Sequence, residues 1–402
     1  MKDTPDSVAS VAARRIPITK TVFGAEEMAA VQKPLESGWV VQGPFVRQFE
    51  EQFSSFTKSR FSIATSSCTT ALHIAVAALG LKPGDEVIVP AFTWVATANV
   101  VEYMGARPIF CDIDLRTFNV DPRQIEALIT TRTVGLIPVH LFGLCADMQS
   151  VMEIARKHSL WVVEDAACAF GSWFRGQHAG TFGEAGCFSF HPRKSITTGE
   201  GGMITTSQEE LDLLSRSLRD HGASRSDFAR HRDKHAFLLA EYNHLGYNFR
   251  LTDIQGALGC AQMGRAEWIL AERARCARFY DQALGDSEWL VTPAVDEGYV
   301  HGYQAYVCLF RPEQPTLKNA ERVHHQRNDL MTRLEISGVS TRQGTHAAAL
   351  VGYYAGKYGL SSDQFPNAYL AERLSLTLPL YPQMSEAEQS YVCESLREGF
   401  NA

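Results

Sequence analysis

The chain has 402 residues, 45% hydrophobic and 21% charged, enough apolar material for one large domain and a smaller one. Its 38 basic and 45 acidic side chains give a formal net charge of −7, and no stretch gathers Lys and Arg into a stripe that tracks a phosphate backbone, so nucleic acid is not an expected partner. No apolar segment of signal-peptide or membrane-span length opens the chain, and nine scattered cysteines without a CxxC pair fit reduced thiols better than disulfides or zinc, so the expectation is a cytoplasmic protein with a flexible N-terminal arm at 1–20.

From residue 61 to 206, short β-rich runs alternate with helical patterns. The predicted strands are 61–65, 86–89, 108–113, 134–139, 160–164, 186–190 and 203–206, with helices at 70–79 and 148–158 between them. This rhythm predicts an α/β domain around a mostly parallel seven-stranded sheet with right-handed crossovers. Long helical segments follow at 208–220 and 252–284, then a strand at 303–310 and a helix-rich C-terminal stretch. The segment 221–241, rich in His, Arg and Asp with weak periodicity, reads as a surface excursion. A large domain over 21–270 and a smaller α+β domain over 271–402 are expected.

In an open α/β sheet the ligand lies at the carboxyl ends of the strands, and four predicted ends carry chemically suggestive groups. The buried-type run LWVVED (160–165) ends in Asp165, a carboxylate able to hold a protonated pyridine nitrogen, a substrate hydroxyl or a metal. The segment ATSSCTTALH (64–73) follows a strand and opens a helix, which makes either a cup for a small phosphate or a simple Ser/Thr helix cap. It has neither the GxxxxGK[ST] of a nucleotide loop nor the GxGxxG of a dinucleotide fold. Trp94 follows the run VIVPAFTW (87–94), where its ring stacks on a flat cofactor or packs in the core. Lys194 lies just past the aromatic strand that breaks at Pro192. A loop lysine is ordinarily a solvated charge, but together an acid, a phosphate cup, a stacking ring and an amine describe a pyridoxal-phosphate site.

These residues closely resemble the DegT/StrS family of pyridoxal-phosphate (PLP)-dependent sugar aminotransferases, of the fold type I (aspartate aminotransferase-like) superfamily. The most specific stretch is SFHPRKSITTGEGG (189–202), supported by SGWVVQG (37–43), SSCTTAL (66–72), EDAA (164–167), GYNFRLTD (246–253) and GTHA (344–347), and the similarity runs from about residue 16 to 392. It implies that Lys194 is the Schiff-base lysine and proton shuttle, and that Asp165 pairs with the pyridinium nitrogen. Trp94 would stack on the ring, while the backbone of Cys68 and Thr69 and the hydroxyls of Thr69 and Ser189 would hold the phosphate. Asn248 matches an asparagine that reaches the neighbouring subunit's phosphate, implying a homodimer with shared active sites. The implied reaction transfers an amino group from L-glutamate to a nucleotide-linked keto-deoxysugar, in amino-sugar or polysaccharide biosynthesis.

The chain departs from the family pattern at Cys168, where many members have a glutamine bonding the cofactor's 3′-oxygen, and at Cys68, where glycine is common. Cys168 lies beside the implied cofactor, but its expected role is that of a packed thiol. Gly38, Trp39, Tyr303, Gln304 and His346 match positions that bind the sugar nucleotide in relatives. His231 and His235, spaced i and i+4, offer two metal ligands without a third, so no metal is expected. Two alternatives share the fold: a PLP-dependent sugar dehydratase, in which a histidine replaces the lysine, and a catalytically silent PLP-binding regulatory protein.

Overall fold

The computed structural model describes residues 15–225 and 239–401. His231 and His235 lie outside the described residues, as do residues 1–14 of the arm and most of the segment 221–241.

The main sheet has seven strands: β1 (Phe61–Thr65), β2 (Glu86–Pro90), β3 (Arg107–Cys111), β4 (Thr133–Leu136), β5 (Trp161–Asp165), β8 (Ala185–Ser189) and β9 (Gly202–Thr206). Two short strands, β6 (Trp173–Phe174) and β7 (Gln177–His178), form a side hairpin between β5 and β8. The order across the sheet is β1-β9-β8-β5-β4-β2-β3, and β9 alone runs against the others. Strands covered on both faces read as continuous apolar runs. In β2 every residue is buried, Val87 and Val89 facing one core cluster and Ile88 the other. Val163 and Val162 divide the same way in β5. The helices α1 (Ala25–Ser37) and α2 (Pro44–Thr57) precede the sheet, and α3 (Cys68–Ala78) and α4 (Ala96–Tyr103) follow β1 and β2.

Several expected elements differ in extent, among them the strand predicted at 303–310, which begins at Tyr306. The strand predicted at 134–139 ends at Leu136, because Pro138 has no N–H for a ladder and only an isolated bridge joins Val139 to Asp165. The helix predicted at 252–284 is two helices, Asp253–Gly264 and Ala266–Leu284, parted at Arg265, whose backbone (φ −110°, ψ 2°) leaves the helical region. The break puts the Arg265 guanidinium 3.3 Å from the Glu27 carboxylate of α1. The first of these helices lies close on α2, where a Cβ on Gly256 would stand 2.6 Å from the Val46 nitrogen. Beyond them, β10 (Leu290–Val291), β12 (Tyr306–Phe310) and β13 (Ser375–Leu378) form an antiparallel three-stranded sheet, and β11 (Tyr299–Val300) joins the β6–β7 hairpin. No described helix is long and apolar enough to cross a membrane.

A buried ion network ties α2 to the edge of the sheet. Glu50, 6% exposed, accepts from Arg216 and Arg219, each at 2.7 Å, and from the Ala64 N–H of β1 at 2.8 Å. Burial alone would raise its pKa, but the two guanidiniums and these hydrogen bonds outweigh that and hold the carboxyl below its ordinary value. A carboxyl depressed on folding adds stability that is fully present above its unfolded value near 4.5 and is lost as pH falls through the lower folded value. Glu50→Gln leaves two guanidiniums facing a neutral amide and should cost about 3 kcal/mol in urea unfolding at pH 7. That cost should shrink below pH 4; a variant as stable as the parent at pH 7 contradicts this role.

Candidate active site

Because β1, β2, β5 and β8 run parallel, their carboxyl ends open on one edge of the sheet, and the segments leaving them enclose a cavity of about 410 Å³. Its walls include Ser67, Cys68 and Thr69 after β1, Trp94 after β2, Asp165 at the end of β5 and Lys194 after β8. Cys168, Ser189 and Gln304 also line it.

Asp165 is 4% exposed and is held by two donors: the Thr97 hydroxyl of α4 at 2.7 Å and the Ala167 N–H at 3.1 Å. Burial raises its carboxyl pKa, opposed by these hydrogen bonds and by the positive charge of Lys194. The site therefore offers a buried carboxylate that a cation in the cavity would stabilise.

The Lys194 ammonium donates to the Cys168 sulfur at 3.1 Å. Burial pulls its pKa down, and the contact with Cys168 and the nearby Asp165 carboxylate outweigh that pull, so the pKa lies above the ordinary lysine value. Cys168 is therefore on the cavity wall in contact with the lysine, rather than packed in the core. The Cys68 thiol is buried, which raises its pKa well above the ordinary value and keeps it neutral. All nine cysteines are free thiols.

At the start of α3, the Ser67 hydroxyl accepts from the Thr70 N–H at 3.2 Å, so the helix is capped as the sequence suggested. The two readings of this segment are compatible, because the N–H groups of Cys68 and Thr69 and the Thr69 hydroxyl make no hydrogen bond to other described residues. Free donors at a helix N-terminus suit a phosphate. Gly202 of β9 passes so close that a Cβ there would lie 2.3 Å from the Ser67 carbonyl oxygen, so the glycine pair ending the lysine loop seats the loop against this helix start. Trp94 is 61% exposed, its ring centre 5.9 Å from that of His346.

A buried acid, an amine with a soft partner, free donors at a helix start and an accessible indole together fit PLP, with Asp165 to meet the ring nitrogen and Cys68, Thr69 and Ser189 to meet the phosphate. The remaining candidates lie off the cavity wall. His346 flanks it beside Trp94 and is 3.5 Å from the Glu372 carboxylate. Trp39 bonds the Gln42 carbonyl at 3.2 Å, on the loop that also holds Gly38. Tyr303 stacks on His301 with ring centres 4.1 Å apart. Asn248 is exposed and bridged to Asp220, and does not line this chain's own cavity. Thr97, Arg193 and Arg342 were not singled out from the sequence. Thr97 had a usable signal: it lies three residues after Trp94, within one helical turn.

The family model described as the DegT/DnrJ/EryC1/StrS aminotransferase family matches residues 22–397. GDP-perosamine synthase of Caulobacter vibrioides is 36% identical over 95% of this chain and 97% of its own. The spore coat polysaccharide biosynthesis protein SpsC of Bacillus subtilis is 34% identical over 95% and 96%. The putative sugar aminotransferase Spr1654 from Streptococcus pneumoniae, solved in its PMP-form, superposes with a TM-score of 0.88 at 27% identity, covering 96% of this chain and 99% of that one.

Thr97→Val keeps the side-chain shape and removes the shorter of the two hydrogen bonds to Asp165. The dissociation constant for PLP, followed by absorbance titration, should rise about tenfold, the effect of a lost hydrogen bond to a charged group. An unchanged constant contradicts the orienting role given to Thr97.

Proposed function

The chain belongs to the DegT/DnrJ/EryC1/StrS aminotransferase family and is a PLP-dependent sugar aminotransferase of sugar biosynthesis, and from that premise we propose that it moves the amino group of L-glutamate to the ketone carbon of a nucleotide-linked keto-deoxysugar. The observation that carries this reading is the meeting of Lys194 and Asp165 in one cavity with the free donors at the start of α3. The name of the GDP-perosamine synthase relative, a nucleotide-linked amino sugar, supports the nucleotide, and that of SpsC supports a polysaccharide as destination.

When bound, PLP supplies a carbonyl that condenses with amines and a ring that absorbs the electrons released when the donor's Cα–H bond breaks. The Lys194 amine takes the proton from the donor carbon and delivers it to the cofactor side, then reverses this route in the second half-reaction. Cys168 is the group that contacts this amine at Nζ. The Asp165 carboxylate holds the proton on the ring nitrogen, itself oriented by Thr97 and the Ala167 N–H. Cys68 and Thr69 bind the phosphate through backbone N–H groups, Thr69 and Ser189 through hydroxyls. Trp94 covers one face of the ring.

A homodimer completes the site in this proposal. Asn248 lies on the surface and outside its own cavity, so it would serve the phosphate of a second copy. The sequence's lysine at position 194 speaks against the dehydratase alternative, whose members carry histidine there.

Adding L-glutamate to the PLP-loaded protein should replace the long-wavelength visible band by the shorter-wavelength absorbance of the amine form, with release of 2-oxoglutarate. A nucleotide-linked keto-sugar should then restore the original spectrum. Lys194→Ala should lose both the band and turnover. A band that glutamate and other amino acids leave unchanged would favour the silent binding protein instead.

A further inference from the structure

The cavity that holds Lys194 also takes in two guanidiniums at its solvent-facing rim, those of Arg193 and Arg342. Both backbones are fixed. The Arg193 carbonyl accepts from the Gln304 side-chain amide at 2.8 Å, and its N–H donates to the His191 ring at 3.3 Å. Arg342 is bridged to Thr377 of β13, donating to its carbonyl at 3.3 Å and accepting from its N–H at 2.6 Å. The lysine loop and β13 thus bring the two arginines to one rim from opposite sides of the chain.

Neither guanidinium has a carboxylate or hydrogen-bond partner among the described residues. Exposed arginines elsewhere occur both with a carboxylate within 3.0 Å, as Arg47, Arg60, Arg116 and Arg123, and without an ion pair among the described residues, as Arg156 and Arg311; what sets Arg193 and Arg342 apart is that the two share one cavity wall. Two acids share the wall, Asp165 and Glu200, and neither forms an ion pair with Arg193 or Arg342. The two cations repel: burial first and the charge of Arg342 second lower the pKa of Arg193. Two like charges held together without a counter-charge are favourable only when an anion joins them.

We propose that Arg193 and Arg342 form a two-guanidinium clamp for the diphosphate of the nucleotide-linked substrate, an inference that rests on the reading given under Proposed function. The phosphate cup at the start of α3 is a separate anion locus deeper in the same cavity, so the clamp is not needed for the cofactor. Guanidinium forks match phosphoryl oxygens two at a time, and two forks match two linked phosphoryl groups. The rim is also where the nucleotide must lie if the sugar ring is to reach Lys194. The carboxylate of the amino donor is the competing anion, but it is attached to the reacting carbon and belongs beside Lys194 rather than at the rim.

The test is calorimetric titration of the PLP-loaded protein with UDP, GDP and dTDP, with the matching nucleosides and with glutarate. The wild-type chain should bind at least one diphosphate more tightly than its nucleoside, with an affinity that falls as salt rises. Arg193→Gln and Arg342→Gln should each weaken that diphosphate at least tenfold and leave nucleoside and glutarate binding unchanged, while Arg342→Lys retains part of the affinity. Melting temperature and cofactor absorbance should stay at wild-type values, because neither side chain has an internal partner to lose. Unchanged diphosphate binding in both variants overturns the clamp, and so does a loss confined to glutarate, which would assign the pair to the amino donor. These titrations need no turnover, so failure of the clamp is distinguishable from failure of the aminotransfer reading, which the glutamate-induced spectral change tests alone.

Discussion

A carboxylate at the buried end of a central strand is costly unless positive charge comes to meet it, and Asp165 imposes that condition on everything around it. Thr97 and the Ala167 N–H supply hydrogen bonds but no charge, and the positive charges of Lys194 and His140 also oppose the rise that burial imposes on its pKa. The site is thus organised around a buried acid that a cation in the cavity would stabilise. A protonated pyridine ring would supply one, and under the proposed role the acid would in turn keep that ring protonated and able to accept electrons.

The sheet brings the other groups to this acid. Register pairs Asp165 with Cys187 of β8, so the chain leaving β8 turns at Pro192 over the same edge and presents Lys194. Between β8 and β1 lies β9, whose first residue, Gly202, is the one that lets the strand pass against the start of α3. The single reversed strand therefore closes the loop carrying the amine and also abuts the helix start that suits a phosphate. Amine, acid and phosphate cup are fixed relative to one another by backbone pairing, which is how a scaffold holds reacting groups within the small tolerances that transfer chemistry needs.

How much of this was legible in the sequence depends on how local the signal was. All seven strands of the main sheet overlap the predicted β-rich runs, and β2, buried at every residue, is the plainest case of a strand whose cover on both faces leaves little choice of residue. Their order was not legible, since β9 inserting between β1 and β8 is a long-range pairing with no mark in any single segment. The stretch 189–202 and the EDAA segment pointed to Lys194 and Asp165, which the structure brings to one cavity, whereas Thr97 depended on how α4 folds back towards β5. The break at Arg265 was hidden because both halves keep a helical pattern, and the Glu27 carboxylate that receives the guanidinium lies more than 200 residues earlier. Arg193 stood in plain view within the lysine motif, yet its lack of a counter-charge exists only in three dimensions. The same holds for Cys168, expected as a packed thiol and found against the lysine.

The proposed chemistry rests on the Lys194 amine carrying the cofactor. Reduction of the PLP-loaded protein with borohydride, followed by proteolysis and mass mapping, tests it directly, because reduction makes the link between amine and cofactor permanent. The account predicts one modified peptide, containing Ser189 to Gly202, with the added mass on Lys194. Modification of a different lysine, with Lys194 recovered unmodified, would contradict it.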